Sequence, residues 1–316
     1  MTQPIVIAHR GASGYLPEHT LEAKALAYAM GADYLEQDCV LSKDDVPVVL
    51  HDVQIDTVTD VAKVFGDRAR DDGRYYAIDF TVDELKSLRV TERVDHKSGK
   101  PVFPGRFPAG KSRFEVPTLA EEIEMIQGLN RSTGKNIGIY PEIKAPAWHH
   151  EQGKDLSRIL LDVLGENGYL TKKDACFVQC FDVDETRRLR EELGCQLQLV
   201  QLIGDKKWSS DGAGFDPDFI NGEMKKIAEY ADGIGPALPH VISGADASGN
   251  PVVTPIITAA HEHGLVVHPY TLRADGMPDW TNDFEALLRM CYVDAKVDGL
   301  FTDFPDRAVQ VRNQVA

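Results

Sequence analysis

Apolar residues recur along this chain with two alternating periods. Short runs with strand character occur at residues 5–9 ("IVIAH"), 33–41 ("DYLEQDCVL"), 136–144 ("NIGIYPEIK"), 175–181 ("ACFVQCF"), 196–203 ("QLQLVQLI"), 232–238 ("DGIGPAL"), 265–271 ("LVVHPYT") and 298–304 ("DGLFTDF"). Between them the spacing changes to the helical period. Helices are expected in 19–31, closed by Gly31 as a left-handed C′ residue, and in 117–129, opened by Thr118 and Glu121 at capping-box spacing. Others are expected in 151–168, 182–194, 222–231, 254–264, 283–295 and, short and terminal, 305–315.

Strand–helix alternation of this kind means βαβ units and a parallel sheet. With "VPVVLHD" (46–52) set aside as a hairpin return after the turn-like "SKDD", eight units remain. That is the count of an α/β (β/α)8 TIM barrel. An open doubly wound sheet is the main alternative, but "HRGASG" lacks the G-x-G-x-x-G spacing of a dinucleotide-binding turn. Residues 53–117 break the alternation. They are charge-rich ("DRARDDGRYY"), carry a capped helical turn at "TVDELKSL", and close with "KPVFPGRFPAGKSRFEVP". So long a break predicts one domain over 1–316 with an insertion subdomain at about 53–117. The insertion is expected at the C-terminal face of the barrel, as a lid or wall that recognises substrate.

Composition narrows the partners. Fifty acidic residues against 34 basic give a formal charge of −16, which argues against nucleic acid or an anionic membrane as the main partner. A small anionic substrate remains open, because a local metal or basic pair outweighs a global field. No apolar run approaches the ~18 residues of a membrane span, and "MTQPIVIAHRG" has no secretory leader. As it stands the sequence predicts a cytoplasmic protein, or a periplasmic one if the chain has been trimmed. The five cysteines are sparse and odd in number, which predicts buried free thiols rather than a disulfide framework.

In a barrel, polar residues at strand ends converge on one mouth. Here these are His9 and Arg10, Glu36 and Asp38, His51, Glu142 and Lys144, Gln179, and the region of His268 and Tyr270. Glu36 and Asp38 are two apart on a strand and share a face, as do Glu142 and Lys144. Three inward carboxylates are costly without a cation, and an all-oxygen set suits Ca2+ or Mg2+ better than zinc. His9 and His51 form the natural general acid–base pair for phosphodiester cleavage, with Arg10 and Lys144 as donors to phosphate oxygens. Each motif alone is weak: an E-x-D pair is usually solvated, and a strand-end histidine is usually structural.

Taken together, "AHRGASGYLPEHTLEA", "DYLEQDCVLSKDDVPVVLHD", "IGIYPEIKAP", "HPYTLR" and "GLFTDFP" resemble the glycerophosphodiester phosphodiesterase family over nearly the whole chain, in particular its bacterial periplasmic-type members. The resemblance implies a TIM barrel, a divalent cation, and hydrolysis of glycerophosphodiesters to glycerol 3-phosphate and an alcohol. It assigns His9 and His51 to catalysis and Arg10 to the phosphate. Glu36, Asp38 and Glu142 become metal ligands, with Ca2+ favoured over Mg2+. Lys144 matches the lysine that follows the third carboxylate, and Gln179 and Tyr270 line the pocket. His19 departs from the pattern, standing where many relatives have asparagine. Two rival readings are a phospholipase-D-like enzyme acting on lipids and a non-enzymatic binding protein that keeps the fold. The alcohol, the acid and base assignments and the oligomeric state stay open.

Overall fold

The computed structural model describes residues 3–204 and 217–315. Its eight parallel strands are β1 (Ile5–Ala8), β2 (Tyr34–Leu41), β4 (Gly138–Ile143), β5 (Phe177–Cys180), β6 (Gln198–Ile203), β7 (Gly233–Pro236), β10 (Val266–Val267) and β11 (Gly299–Thr302). They pair in the order β10-β7-β6-β5-β4-β2-β1-β11, and β3 (Pro47–Val49) pairs antiparallel with β2. Beyond Val267, Phe301 N–H donates to the Pro269 carbonyl at 2.9 Å, and Leu272 N–H donates to the Phe301 carbonyl at 2.9 Å. These bonds bring the two ends of the sheet together in a nearly closed barrel, the architecture expected from the eight alternating units.

Strand alternation sorts the core into layers. Leu35 and Cys39 of β2, with Ile139 and Ile143 of β4, face outward into the apolar layer beneath the helices. On the other face Ile7, Tyr140, Val200 and Phe301 fill the barrel interior, with Tyr140 stacked on Phe177 at 4.9 Å between centroids. His268 belongs to this filled interior. Its Nδ1 meets the Tyr140 hydroxyl at 2.9 Å, and it is not among the residues lining the mouth.

Helix boundaries follow their caps. Thr20 caps Leu21–Met30 and Gly31 closes it at φ 88°, while Thr118 and Glu121 form a reciprocal capping box on Leu119–Thr133. The helix expected over 151–168 begins only at Leu156 and runs to Glu166; a separate short helix, Pro146–Glu151, precedes it, with Gly153 at φ 77° between the two. An unexpected exposed hairpin, β8 (Ile242–Ala245) with β9 (Pro251–Val253), follows β7. Met290–Ala295, at the end of the helix expected over 283–295, is wound as a π-helix. All five cysteines are buried and free.

Residues 53–117 form short bridges and helical turns around a separate apolar cluster, in which Ile55, Phe80, Leu85 and Leu88 pack on Val40 and Val48 of the β2–β3 hairpin. Tyr76 stacks on Trp148 of helix Pro146–Glu151 at 5.6 Å, with the Arg70 guanidinium 4.2 Å from the Tyr76 centroid. The insertion is thereby fastened to the loop that follows β4.

Candidate active site

Register sets the site. Asp38 pairs with Glu142, and Glu142 with Gln179, so three inward polar side chains lie at one level across β2, β4 and β5. Glu36 sits opposite Tyr140, one inward position below. At the end of β1, His9 N–H donates to the Thr302 carbonyl at 2.9 Å, which aligns His9 beside Asp303. Arg10 then leaves the strand in the left-handed region at φ 58°. This turn aims its N–H at Glu36 Oε2, 2.9 Å away. Gly11 follows at φ 84°, where a Cβ would lie 2.8 Å from the Ala23 backbone; only glycine fits this crossing of loop and helix.

The mouth encloses a cavity of about 430 Å3 lined by His9, Arg10, Glu36, Asp38, His51, Glu142, Lys144, Gln179 and Tyr270. All nine candidate residues are therefore brought together. The walls on the other side are apolar, with Phe181, Leu202, Leu238, Ile242, Met277 and Trp280.

Glu36, Asp38 and Glu142 each offer an oxygen within 4.8 Å of the others, and all three are buried. Burial and then the mutual charge of the other carboxylates push the Glu36 carboxyl well above its ordinary range. Glu142 is also raised, by burial and by Asp38, in spite of Lys144 at 2.7 Å. Burial opposes ionisation of Asp38 too, but Lys144, His19 and His51 outweigh it and hold this carboxyl well below its ordinary range. Asp38 Oδ1 and Gln179 Oε1 are buried without a hydrogen-bond partner. Crowded carboxylates that resist ionisation, beside orphaned acceptors, fit a hard divalent cation. A second group, His150, Asp155 and Glu185, also brings ligand atoms together. There Arg188 already bonds both carboxylates, at 2.5 and 2.7 Å.

The two histidines are oriented alike. His9 Nδ1 lies 2.5 Å from Asp303 Oδ1, and His51 Nδ1 lies 2.7 Å from Asp52 Oδ1. Each ring thus donates its Nδ1–H to a carboxylate and keeps Nε2 for other partners. His9 Nε2 stands 3.9 Å from Glu36. Burial, then Arg10, pushes His9 down to about 4 despite Asp303. Burial, with Arg10 and Lys144, also lowers His51. Both shifts favour the neutral imidazole, whose Nε2 is an acceptor, while the negative charge of a phosphodiester at the same mouth would favour the protonated form.

Of the remaining candidates, Gln179 donates to Glu36 Oε1 at 2.9 Å and Tyr270 donates its hydroxyl to the Ile203 carbonyl at 3.1 Å. His19 contacts Asp38 Oδ2 through Nε2 at 2.7 Å. Sequence reasoning missed Asp303, Glu18, Arg93, Arg106 and Arg273, all around the two histidines. Asp303 had a signal, since it ends the last strand, which in a barrel lies next to the first. Arg93 and Arg106 of the insertion had none, being two among its many charges.

The model of the glycerophosphoryl diester phosphodiesterase family matches residues 9–307. A glycerophosphodiester phosphodiesterase of Haemophilus influenzae is 46% identical, over 97% of this chain and 89% of its own. One of Treponema pallidum is 37% identical, over 98% and 92%. Among solved structures, an Oleispira antarctica phosphodiesterase in complex with the product sn-glycerol-3-phosphate superposes with a TM-score of 0.63 at 20% identity, covering 98% of this chain and 97% of that one. A glycerophosphodiester phosphodiesterase from Agrobacterium tumefaciens gives 0.61 at 20% identity, covering 97% and 99%. At these identities the two structures speak to the fold.

Proposed function

The chain belongs to the glycerophosphoryl diester phosphodiesterase family and is an enzyme of that activity, and from that premise we propose that it hydrolyses small glycerophosphodiesters to glycerol 3-phosphate and an alcohol, with His9 and His51 moving the protons. The observation that carries this reading is the matched pair of imidazoles at one mouth, each fixed through Nδ1 by a carboxylate, beside three converging carboxylates. The glycerol 3-phosphate held by the Oleispira relative supports the same product here.

Glu36, Asp38 and Glu142 would hold one divalent cation, Ca2+ or Mg2+, whose charge would neutralise phosphate oxygens. Arg10 and Lys144 reach the same cavity and present N–H donors to the phosphate, Arg10 as a fork and Lys144 as a point charge. The apolar wall takes the carbon skeleton. One imidazole Nε2 accepts a proton from the attacking hydroxyl, and the other, in its protonated form, delivers one to the leaving alkoxide. Gln179 holds Glu36 in place, and Tyr270 shapes the floor.

The test is an assay of chelator-treated protein on several glycerophosphodiesters, with Ca2+ or Mg2+ restored and products identified. Glycerol 3-phosphate should appear only with metal. His9→Ala and His51→Ala should each lower turnover by about 10²–10⁴-fold. An aryl leaving group should rescue the variant lacking the general acid and not the other. Near-normal turnover in both variants sinks the two-histidine mechanism.

A further inference from the structure

We propose that Arg93 and Arg106, both supplied by the insertion, are positioning residues that each lock the carboxylate behind one of the two histidines. The inference rests on the assignment of proton transfer to His9 and His51.

Two chains of contacts carry it. In the first, Arg93 Nη1 donates to Asp52 Oδ2 at 2.5 Å, and Asp52 holds His51 Nδ1 at 2.7 Å. The same guanidinium reaches Glu18 through Nη2 at 2.6 Å and Nε at 3.1 Å. Glu18 in turn accepts from Arg10 Nη1 at 3.1 Å through both oxygens. In the second, Arg106 Nη2 donates at 2.6 Å to Asp303 Oδ2, which also accepts from Arg273 Nε at 2.8 Å, and Asp303 holds His9 Nδ1 at 2.5 Å. Arg106 also forks onto Asp275 at 2.8 and 2.9 Å, donates to the Ser13 carbonyl at 3.2 Å, and lies 3.7 Å over the Phe103 ring.

Neither arginine is left over to solvate a surface. The Arg106 side chain is 5% exposed and the Asp303 side chain 1%. Each guanidinium spans two carboxylates from different loops, a task for a planar fork that an ammonium performs at only one end. A histidine whose Nδ1 carboxylate can swing loses both tautomer and aim, so a fixed carboxylate is worth as much to the reaction as its distance suggests. The insertion therefore completes the acid–base machinery from behind. It does so across a second cavity of about 260 Å3 in which Arg93 and Arg106 face His9, Arg10 and His51.

The test is steady-state kinetics of Arg93→Ala, Arg93→Lys, Arg106→Ala and Arg106→Lys on glycerophosphocholine with saturating metal, beside His9→Ala and His51→Ala. Each alanine variant should lower kcat by about 10–100-fold, the range for losing an outer partner of a site residue, with KM changed less than threefold. Each lysine variant, which keeps one of the contacts and protects folding, should recover part of the loss. The deciding readout is a double-mutant cycle with sensitive product detection. Arg106→Ala should cost little in a His9→Ala background, and Arg93→Ala clearly less in a His51→Ala background than alone, what is left passing through Glu18 to Arg10. Full additivity in these cycles, a loss confined to KM, or alanine variants with normal kcat would each overturn the proposal. If the histidine variants themselves turn over normally, it is the underlying mechanism that fails; if they are crippled while the arginine variants are not, only the positioning role fails.

Discussion

Glu92 shows how a single side chain can be held against its own chemistry. It is 3% exposed, and its Oε2 is buried with no hydrogen-bond partner. Burial first, and then the charge of Glu18, push its carboxyl up to about 7 from an ordinary 4.5, although Arg106 pulls the other way. The unfolded chain releases this proton near 4.5 and the folded protein only near 7. Between those values the folded state binds more protons, so this group's contribution to stability falls as pH rises from 4.5 to 7. Glu92→Gln keeps the shape and removes the charge. Relative to the parent, it should be unchanged at pH 4 and gain about 3 kcal/mol by pH 8. Urea unfolding of both proteins across that range measures the difference, and a difference flat with pH means that Glu92 titrates as an ordinary carboxyl. Nothing in "VTERVD" marks Glu92 as buried, because its environment is made by residues distant in sequence.

At the scale of elements, the helices were most legible at their ends. Gly31, Thr118 and Glu121 are local signals, and they cap where their spacing says. What faces inward along a helix was less so. Lys24 lies on the buried stripe of Leu21–Met30 with Ala23, Ala27 and Tyr28, because Glu122 of Leu119–Thr133 meets it. The pair is 2.7 Å apart and both side chains are 0% exposed. A lysine in a helix reads as solvated until its partner, far along the chain, is known. The β8–β9 hairpin escaped notice for another reason: its strands are short and half exposed, with little apolar period to read. Lys24→Met should cost about 3–5 kcal/mol, since it strands a buried carboxylate. Lys24→Met with Glu122→Met should return to parental stability or exceed it. Denaturant midpoints of the single and double variants decide this, and a double variant as weak as the single one would show that the pair specifies the helix contact rather than merely neutralising itself.

At the scale of the whole molecule, same-face carboxylates, the count of units and their convergence on one mouth could be read along the chain, while the partner behind each histidine went unread. Asp303 stands behind His9 only because β11 lies beside β1. The register of β2 on β4 forces Glu36, Asp38 and Glu142 together, where burial and mutual charge raise two of them. Without a cation the fold carries that repulsion as a cost; with one, the same cluster becomes a source of stability. The sign of a substitution should therefore depend on metal. In chelator, Glu142→Gln removes one of the crowded charges and should melt no lower than the parent. With Ca2+ at about a hundred times its dissociation constant, the parent should gain about 2.7 kcal/mol, on the order of 5 °C in melting temperature, through binding to the native state alone. The variant, having lost a ligand, should show little of that gain, so the order of the two melting curves reverses. Mg2+ in the same experiment ranks the two ions by the size of the parental shift. If neither ion at millimolar concentration moves the parent, the three carboxylates do not form a metal site, and the charge at the mouth must be balanced by Arg10 and Lys144 alone.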